Sequence, residues 1–595
     1  MIRTPLRPLA RILPARAAGE NPWSIERENL RHRHKDMHDA MRQRAEGRLL
    51  VLGLFFLCVF TLIGARMGAL AMSEPVEPRA SAQGAAISAA RADIVDRNGS
   101  LLATNFETHA LYAETQHMLD PQAAAEGLQA VFPYLKSEDL LKDFTGKRKF
   151  IWIKKTISPE QMQAVHDIGE PGLLFGPRDM RLYPNGTLAA HILGGASFGA
   201  EDVRAAEVIG VAGVERYFDT YLRDPANGQK PLQLSLDLTV QAAVERVLLG
   251  GMKIMNAKGA TSVLMDAHSG EVISIVSLPH FDPNTRPVAA AKDDPSDSPL
   301  FNRSVQGVYE LGSTFKIFAA AQAIELGLAS PSTVIDTKGP MRVGGYSIRE
   351  FRNKNYGALT VSEIIEKSSN RGAGRLALEI GPERQQDFLR GLGFFEPTSF
   401  EISEAQGGMP LLPKRWTDLS AVTISYGHGL SASPLHLAAA YAAIANGGFA
   451  VQPTILKQDV PPAGKRVMHE TTARASRAML RKVVTEGTAS MGDVRGYVVG
   501  GKTGTADKPK PGGGYYDEKV INTFAAIFPA HDPKYVLVVT LDEPVDTSGE
   551  KPRREAGWTA VPVAAEIIGR AAPLLGLRPT VEPASLTDIT MASSN

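Results

Sequence analysis

The sequence predicts an α+β protein carried on a membrane anchor, and three observations predict it. The chain has 595 residues, 44% of them hydrophobic and 22% charged. That is too long for one core, because single cores stop growing near ~250–300 residues. Residues 49–65 form an uncharged apolar run, LLVLGLFFLCVFTLIGA. From about residue 231 onward, strand-like runs precede a block of helices and return after it. That order brings early and late strands into one antiparallel sheet with helices packed on it.

Taken in order, residues 1–48 are a basic tail with eleven Lys/Arg against six Asp/Glu. The apolar character continues past Arg66 to Met72, so residues 49–72 are long enough to cross a ~30 Å hydrocarbon layer with Arg66 snorkelling. The charge bias keeps the tail in the cytoplasm and exports everything beyond residue 72. A cleaved signal peptide fits poorly, since both the basic region and the apolar run are too long. His34 and His38 stand four apart in RHRHKDMH, a spacing that can hold metal on a helix, but they read better as part of the polar tail. Residues 73–90, small, polar and Pro-containing, read as a linker.

Residues 91–230 mix short strand-like and helical pieces and open on a hairpin, with DIVD and SLLATN flanking Asn98-Gly99. They hold no evident catalytic set and read as a scaffold, or pedestal, domain. Residues 231–580 form the second domain. A helix over LTVQAAVERVLLGGM is expected to end at Gly250-Gly251, and a hairpin turns at AHSGE. A helix over 313–326 is closed by Gly327, and another starts with Ser433 as N-cap and Pro434 at its first position. GYVVGGKTGTAD, INTFAAIFPA and KYVLVVTLDEP are the returning strands, and residues 581–595 read as a disordered tail.

A net charge of +1 points to neither nucleic acid nor another polyanion, and the single cysteine, Cys58, excludes an intramolecular disulfide and a multi-cysteine metal site. No cofactor is implied.

The chemistry gathers around VYELGSTFKIFAAAQAIELG. Ser313 and Lys316 lie three apart at the start of an apolar helix, on one face. A serine hydroxyl needs an adjacent base to act as a nucleophile, and a lysine serves when burial or a second cation lowers its pKa. The pattern alone is weak, because Ser548 and Lys551 repeat it in TSGEKPRR, where no helix is expected. Two further elements give it meaning: Ser368-Ser369-Asn370 in EKSSNRG, and Lys502-Thr503-Gly504 on a strand. Lys502 and Thr503 suit a substrate carboxylate, and Lys502 is expected to depress the pKa of Lys316. Gly504 lets a peptide approach the strand edge. Ser368 suits proton relay, and Asn370 is expected to orient Lys316 and the substrate amide. The backbone N–H groups of Ser313 and Thr505 suit an oxyanion hole.

With these motifs the chain resembles the class B penicillin-binding proteins, the monofunctional peptidoglycan DD-transpeptidases, over roughly residues 91–575. RADIVDRNG, RLYPNGTLAAHILG, GVAGVERYFDTYL, MDAHSGEVISIVSLPHFDPN and SYGHGLSASPLHLAAAYAAIANGG add to the likeness. Leu311 and Ala92 depart from it, standing where relatives often have proline and glycine. The resemblance implies a pedestal followed by a penicilloyl-serine transferase fold. Its substrate would be a stem peptide ending in D-Ala-D-Ala, and β-lactams would acylate the same serine. Within the family the chain looks most like the division-specific, FtsI-type members, with the elongation-specific type as runner-up and a non-catalytic scaffold behind it. The division type implies a SEDS-type septal glycosyltransferase and divisome membrane proteins as partners, and a place in the inner membrane at the septum with the catalytic domain in the periplasm.

Overall fold

The apolar run lies in a helix much longer than itself. In the computed structural model, α1 spans Trp23–Met72, 50 residues without a break. Within it Glu46–Met67 is long and apolar enough to cross a membrane, so the basic stretch ahead of the apolar run is helical too. The structure describes residues 9–72, 91–201, 206–227, 230–288, 294–510 and 513–579. The expected linker at 73–90 and tail at 581–595 lie outside them. Residues up to 86 make one compact unit and those from 87 onward a second.

The second unit begins with the hairpin. β1 (Ile94–Val95) pairs antiparallel with the long β2 (Leu101–Glu114) across a turn in which Asp96 accepts hydrogen bonds from Asn98 N and Ser100 N, both at 2.8 Å. β2 also pairs with β3 (Phe150–Ile157) and β4 (Leu173–Leu182). Leu111, Leu128, Phe132 and Ile157 are among the side chains of the small core beneath this sheet. β1 pairs parallel with β5 (Leu232–Gln233), which ties the start of the second domain to the pedestal sheet.

Helix α2 (Leu238–Ile254) follows, N-capped by Asp237. It does not stop at Gly250-Gly251 as expected but runs through both. Packing overrides the helix-breaking tendency here: a Cβ on Gly251 would lie 2.6 Å from Val563, so glycine lets α2 seat against the last helix. The main sheet comprises β6 (Gly259–Asp266), β7 (Val272–Leu278), β8 (Gly500–Pro509), β9 (Tyr515–Phe528) and β10 (Tyr535–Asp542). Its order is β8-β9-β10-β6-β7, antiparallel throughout. The early and late strands thus share one sheet, with β8 at its edge.

Between β7 and β8 lie α3 (Lys316–Glu325), α4 (Asn370–Ile380) and α5 (Pro434–Ala445); α6 (Ala560–Leu574) closes the chain. Neighbouring residues of β9 reach opposite faces of the sheet, as a strand requires. Asn522 donates to Thr559 Oγ1 at 2.7 Å, beside α6. Thr523 bonds Thr540, on the face where Thr261 meets Ser304 and Ser304 O receives Leu435 N of α5. Every residue of α5 is buried, and Ser433 caps it with the expected geometry.

Candidate active site

Ser313 does not begin an α-helix. Gly312–Phe315 form a 3₁₀ turn and α3 starts at Lys316. The tighter turn follows from Gly312, whose φ of 57° suits glycine and whose N–H is bonded to Gly427 O at 3.2 Å. The turn abuts the edge strand backbone to backbone. A Cβ on Gly504 would fall 2.2 Å from Leu311 O, and one on Gly312 would fall 2.9 Å from Thr505 O. Ser313, Gly504 and Thr505 are therefore neighbours, as expected. The turn is also held from below, where the buried Tyr441 donates to Thr314 O at 2.9 Å. Ser313 is half-buried, and its hydroxyl makes no hydrogen bond among the described residues.

The two lysines meet at one hydroxyl. Lys316 Nζ donates to Ser368 O at 2.6 Å and Ser368 Oγ at 3.0 Å. Lys502 Nζ donates to the same Oγ at 3.1 Å and to Thr503 O at 3.1 Å. Lys316 is 1% exposed and Lys502 fully buried. Burial lowers Lys316 to about 7, with the Glu350 charge working in the other direction. Lys502 is held well below the usual lysine range by burial and then by the Lys316 ammonium. Burial is thus the largest cause of the lowering at Lys316, and the two ammoniums disfavour each other's charge.

Ser368 can serve both amines because its backbone is left-handed, φ 61°, just past the helix Val361–Lys367. Such a conformation at serine is strained and persists only when its surroundings over-determine it. The next residues supply the restraint. Ser369 N-caps α4 through Gly372 N and donates to Glu350 Oε1 at 2.6 Å. Glu350, 3% exposed, also accepts Asn370 N at 2.8 Å and Arg371 N at 3.1 Å. A carboxylate at a helix N-terminus is favourable on both hydrogen-bonding and dipole grounds.

Asn370 departs from expectation. Its amide donates to Arg349 O at 3.0 Å and makes no hydrogen bond to Lys316. Ser368 lies in between, its carbonyl and hydroxyl already meeting the amine. Thr503 Oγ1 bonds Thr488 Oγ1 at 2.7 Å, and Thr505 Oγ1 accepts Ala556 N at 3.0 Å. Glu350, Tyr441 and Thr488 escaped the sequence reading. Only Glu350 left a trace, since an N-cap serine with its own donor free implies an acceptor nearby.

Comparisons with known proteins agree on the family. A model of the penicillin binding protein transpeptidase domain matches residues 260–568. A model of the penicillin-binding protein dimerisation domain matches residues 86–234. The chain is 33% identical over 576 residues to a probable peptidoglycan D,D-transpeptidase FtsI of Caulobacter vibrioides, covering 94% of each. It is 31% identical to a probable peptidoglycan D,D-transpeptidase PenA of Neisseria gonorrhoeae, covering 83% of this chain and 86% of that one. The crystal structure of penicillin binding protein 3 from Mycobacterium tuberculosis complexed with ampicillin matches with a TM-score of 0.63 at 27% identity, over 84% of this chain and 98% of that one. Two family models met in succession, and relatives aligned over nearly the whole length, place the chain in the penicillin-binding protein transpeptidase family.

Proposed function

We propose that the chain is an FtsI-type peptidoglycan D,D-transpeptidase that cross-links stem peptides during septal wall synthesis and binds penicillin. The observation that carries this is the pair of buried lysines sharing Ser368 Oγ beside the serine turn. Lys316, neutral above about pH 7, takes the Ser313 proton as Oγ attacks the penultimate carbonyl of the donor. The Ser313 and Thr505 N–H groups hold the oxyanion. Ser368 passes the proton to the departing amine, the C–N bond breaks, and D-alanine leaves with its carboxylate still facing Lys502 and Thr503. An amine from a second strand then attacks the acyl-serine carbonyl; the new amide forms as the ester C–O bond to Ser313 Oγ breaks, and the amine's proton passes to that oxygen. Asn370, fixed by Arg349 O, keeps its carboxamide oxygen for the substrate amide. β-Lactams enter by the same first step.

The apolar segment of α1 supports an inner-membrane anchor with the N-terminus cytoplasmic and the catalytic domain periplasmic. The likeness to FtsI proteins supports a place at the division septum. A SEDS-type glycosyltransferase and divisome membrane proteins are the partners this reading implies. The test is labelling by a fluorescent penicillin followed by mass spectrometry of the labelled peptide. Adduct on Ser313, absent in Ser313→Ala, supports the reading; adduct elsewhere, or labelling of Ser313→Ala, refutes it.

A further inference from the structure

The walls of the cleft that holds Ser313 are joined at two levels. At the floor, Lys502 of one wall donates to Ser368 Oγ of the other, with the lysine fully buried. At the rim the link is an ion pair. Arg352 Nη2 donates to Glu555 Oε1, and the two side chains are 69% and 27% exposed. Each partner is mounted next to a residue of the site. Arg352 stands three residues after Arg349, whose carbonyl holds the Asn370 amide. Glu555 stands beside Ala556, whose N–H donates to Thr505 Oγ1 on β8 at 3.0 Å. The pair thus ties the Asn370 wall to the Thr505 wall on the solvent side.

Three features say that this tie is made to part. The segment carrying Arg352 is strained: Arg352 and Asn353 are both left-handed, with φ of 55° and 53°, a conformation that costs any residue with a side chain. It is also loosely held. Residues 351–355 are all exposed, and among the described residues Arg352 to Glu555 is the one hydrogen bond that takes them beyond their own segment. The neighbouring charges are engaged elsewhere, Arg553 with Asp546 at 3.8 Å and Arg554 with Glu518 at 3.1 Å, which leaves Glu555 to Arg352. Finally, an exposed aromatic ring stands beside each partner. Arg352 lies over Phe351 at 5.2 Å, and Trp558 N donates to Glu555 O at 3.0 Å. Rings in that position suit an apolar group on an incoming ligand.

Magnitude decides what such a tie can do. An exposed ion pair is weak and is screened by salt. It cannot bar the cleft; it biases a rim that backbone strain pulls the other way, and it slows ligands that need the extra width. We propose that Arg352 and Glu555 are specificity-determining residues for acylation, a strap across the rim that parts for donors with a bulky side chain and lets compact donors pass beneath it. The inference rests on the acyl-serine reading and deepens it into a selection by size.

The test uses the full-length chain in detergent and two probes, a fluorescent penicillin with a bulky side chain and the bare aminopenicillanic acid nucleus. Mass spectrometry of quenched protein gives the rate of acylation by each. Salt is set at about 0.01 M and about 1 M, where the screening length falls from roughly 30 Å to roughly 3 Å. Arg352→Gln and Glu555→Gln are each expected to speed acylation by the bulky probe about threefold at low salt and to leave the compact probe unchanged. High salt should speed the native chain relative to these variants until the gap closes. Exchanging the pair, Arg352→Glu with Glu555→Arg, should restore both the slower rate and its salt response. Equal rates in the native chain and the single variants would overturn the proposal, as would a change shared by both probes, a gap that persists at high salt or an exchanged pair that stays fast. Slower acylation of the single variants by the bulky probe would also overturn it, since the pair would then be a docking site. Acylation of native Ser313 without these differences sinks this inference alone, whereas no acylation of Ser313 sinks the acyl-serine reading beneath it.

Discussion

The chain holds the Ser-x-x-Lys pattern at Ser313–Lys316 and again at Ser548–Lys551, and the two segments share little else. At the first, the serine sits on a 3₁₀ turn wedged against a strand, and the lysine is sealed inside with two oxygens of Ser368 around it. At the second, both side chains are exposed in a bend between Asp546 and Arg553, where Ser548 N caps the Asp546 carboxylate at 2.9 Å. Reactivity in such a pair comes from what surrounds it. A lysine in water keeps its proton at neutral pH and cannot act as a base, whereas burial makes the same side chain give it up.

Four changes sharpen or break that contrast. Lys316→Ala should have the largest effect, slowing penicillin acylation by ~10²–10⁴-fold, the usual contribution of a positioned base; an acylation rate near that of the parent would remove Lys316 from the role. Glu350→Ala comes next. It strips three hydrogen bonds from the start of α4 and should cost about 3 kcal/mol of stability. By loosening Ser368 it should slow acylation as much as ~10²-fold. Thermal melts and stopped-flow acylation separate the two effects, and a destabilised protein that acylates at full rate would show that Ser368 holds its position unaided.

Acidity gives the third. The neutral amine is the reactive form, and burial places the Lys316 pKa at about 7. Acylation should therefore level off above that pH and fall about tenfold per unit below it. A flat profile from pH 5 to 8 would count against Lys316 as the base. Ser548→Ala, the smallest change, should leave labelling untouched, and any loss would mean that the exposed pair matters after all.

Much of the fold was legible in the sequence because its signals are local. The capping of α5 by Ser433 and the turn at Asn98-Gly99 are each written in a few consecutive residues. The chemistry was legible because the three motifs are short and fall in order. What the sequence hid depends on distant partners. Gly250-Gly251 looks like a helix stop until Val563 is brought against it, more than 300 residues away. Asn370 looks like a partner for Lys316 until the left-handed Ser368 turns both of its oxygens to the amine. Glu350 has no motif of its own, since it sits 20 residues before the helix it restrains.

The bare contact between Leu311–Gly312 and Gly504–Thr505 carries a consequence for drug resistance. The approach of the serine turn to the strand is set there by main chain touching main chain, with the Thr314 methyl group beside it. Adding even one methyl group at Gly504 would drive the serine turn off the strand, and the natural substrate would suffer with the antibiotic. A lineage under β-lactam selection therefore cannot tune this protein at its centre. Tolerance has to be acquired further out, in groups that meet the parts by which a drug and a peptide differ.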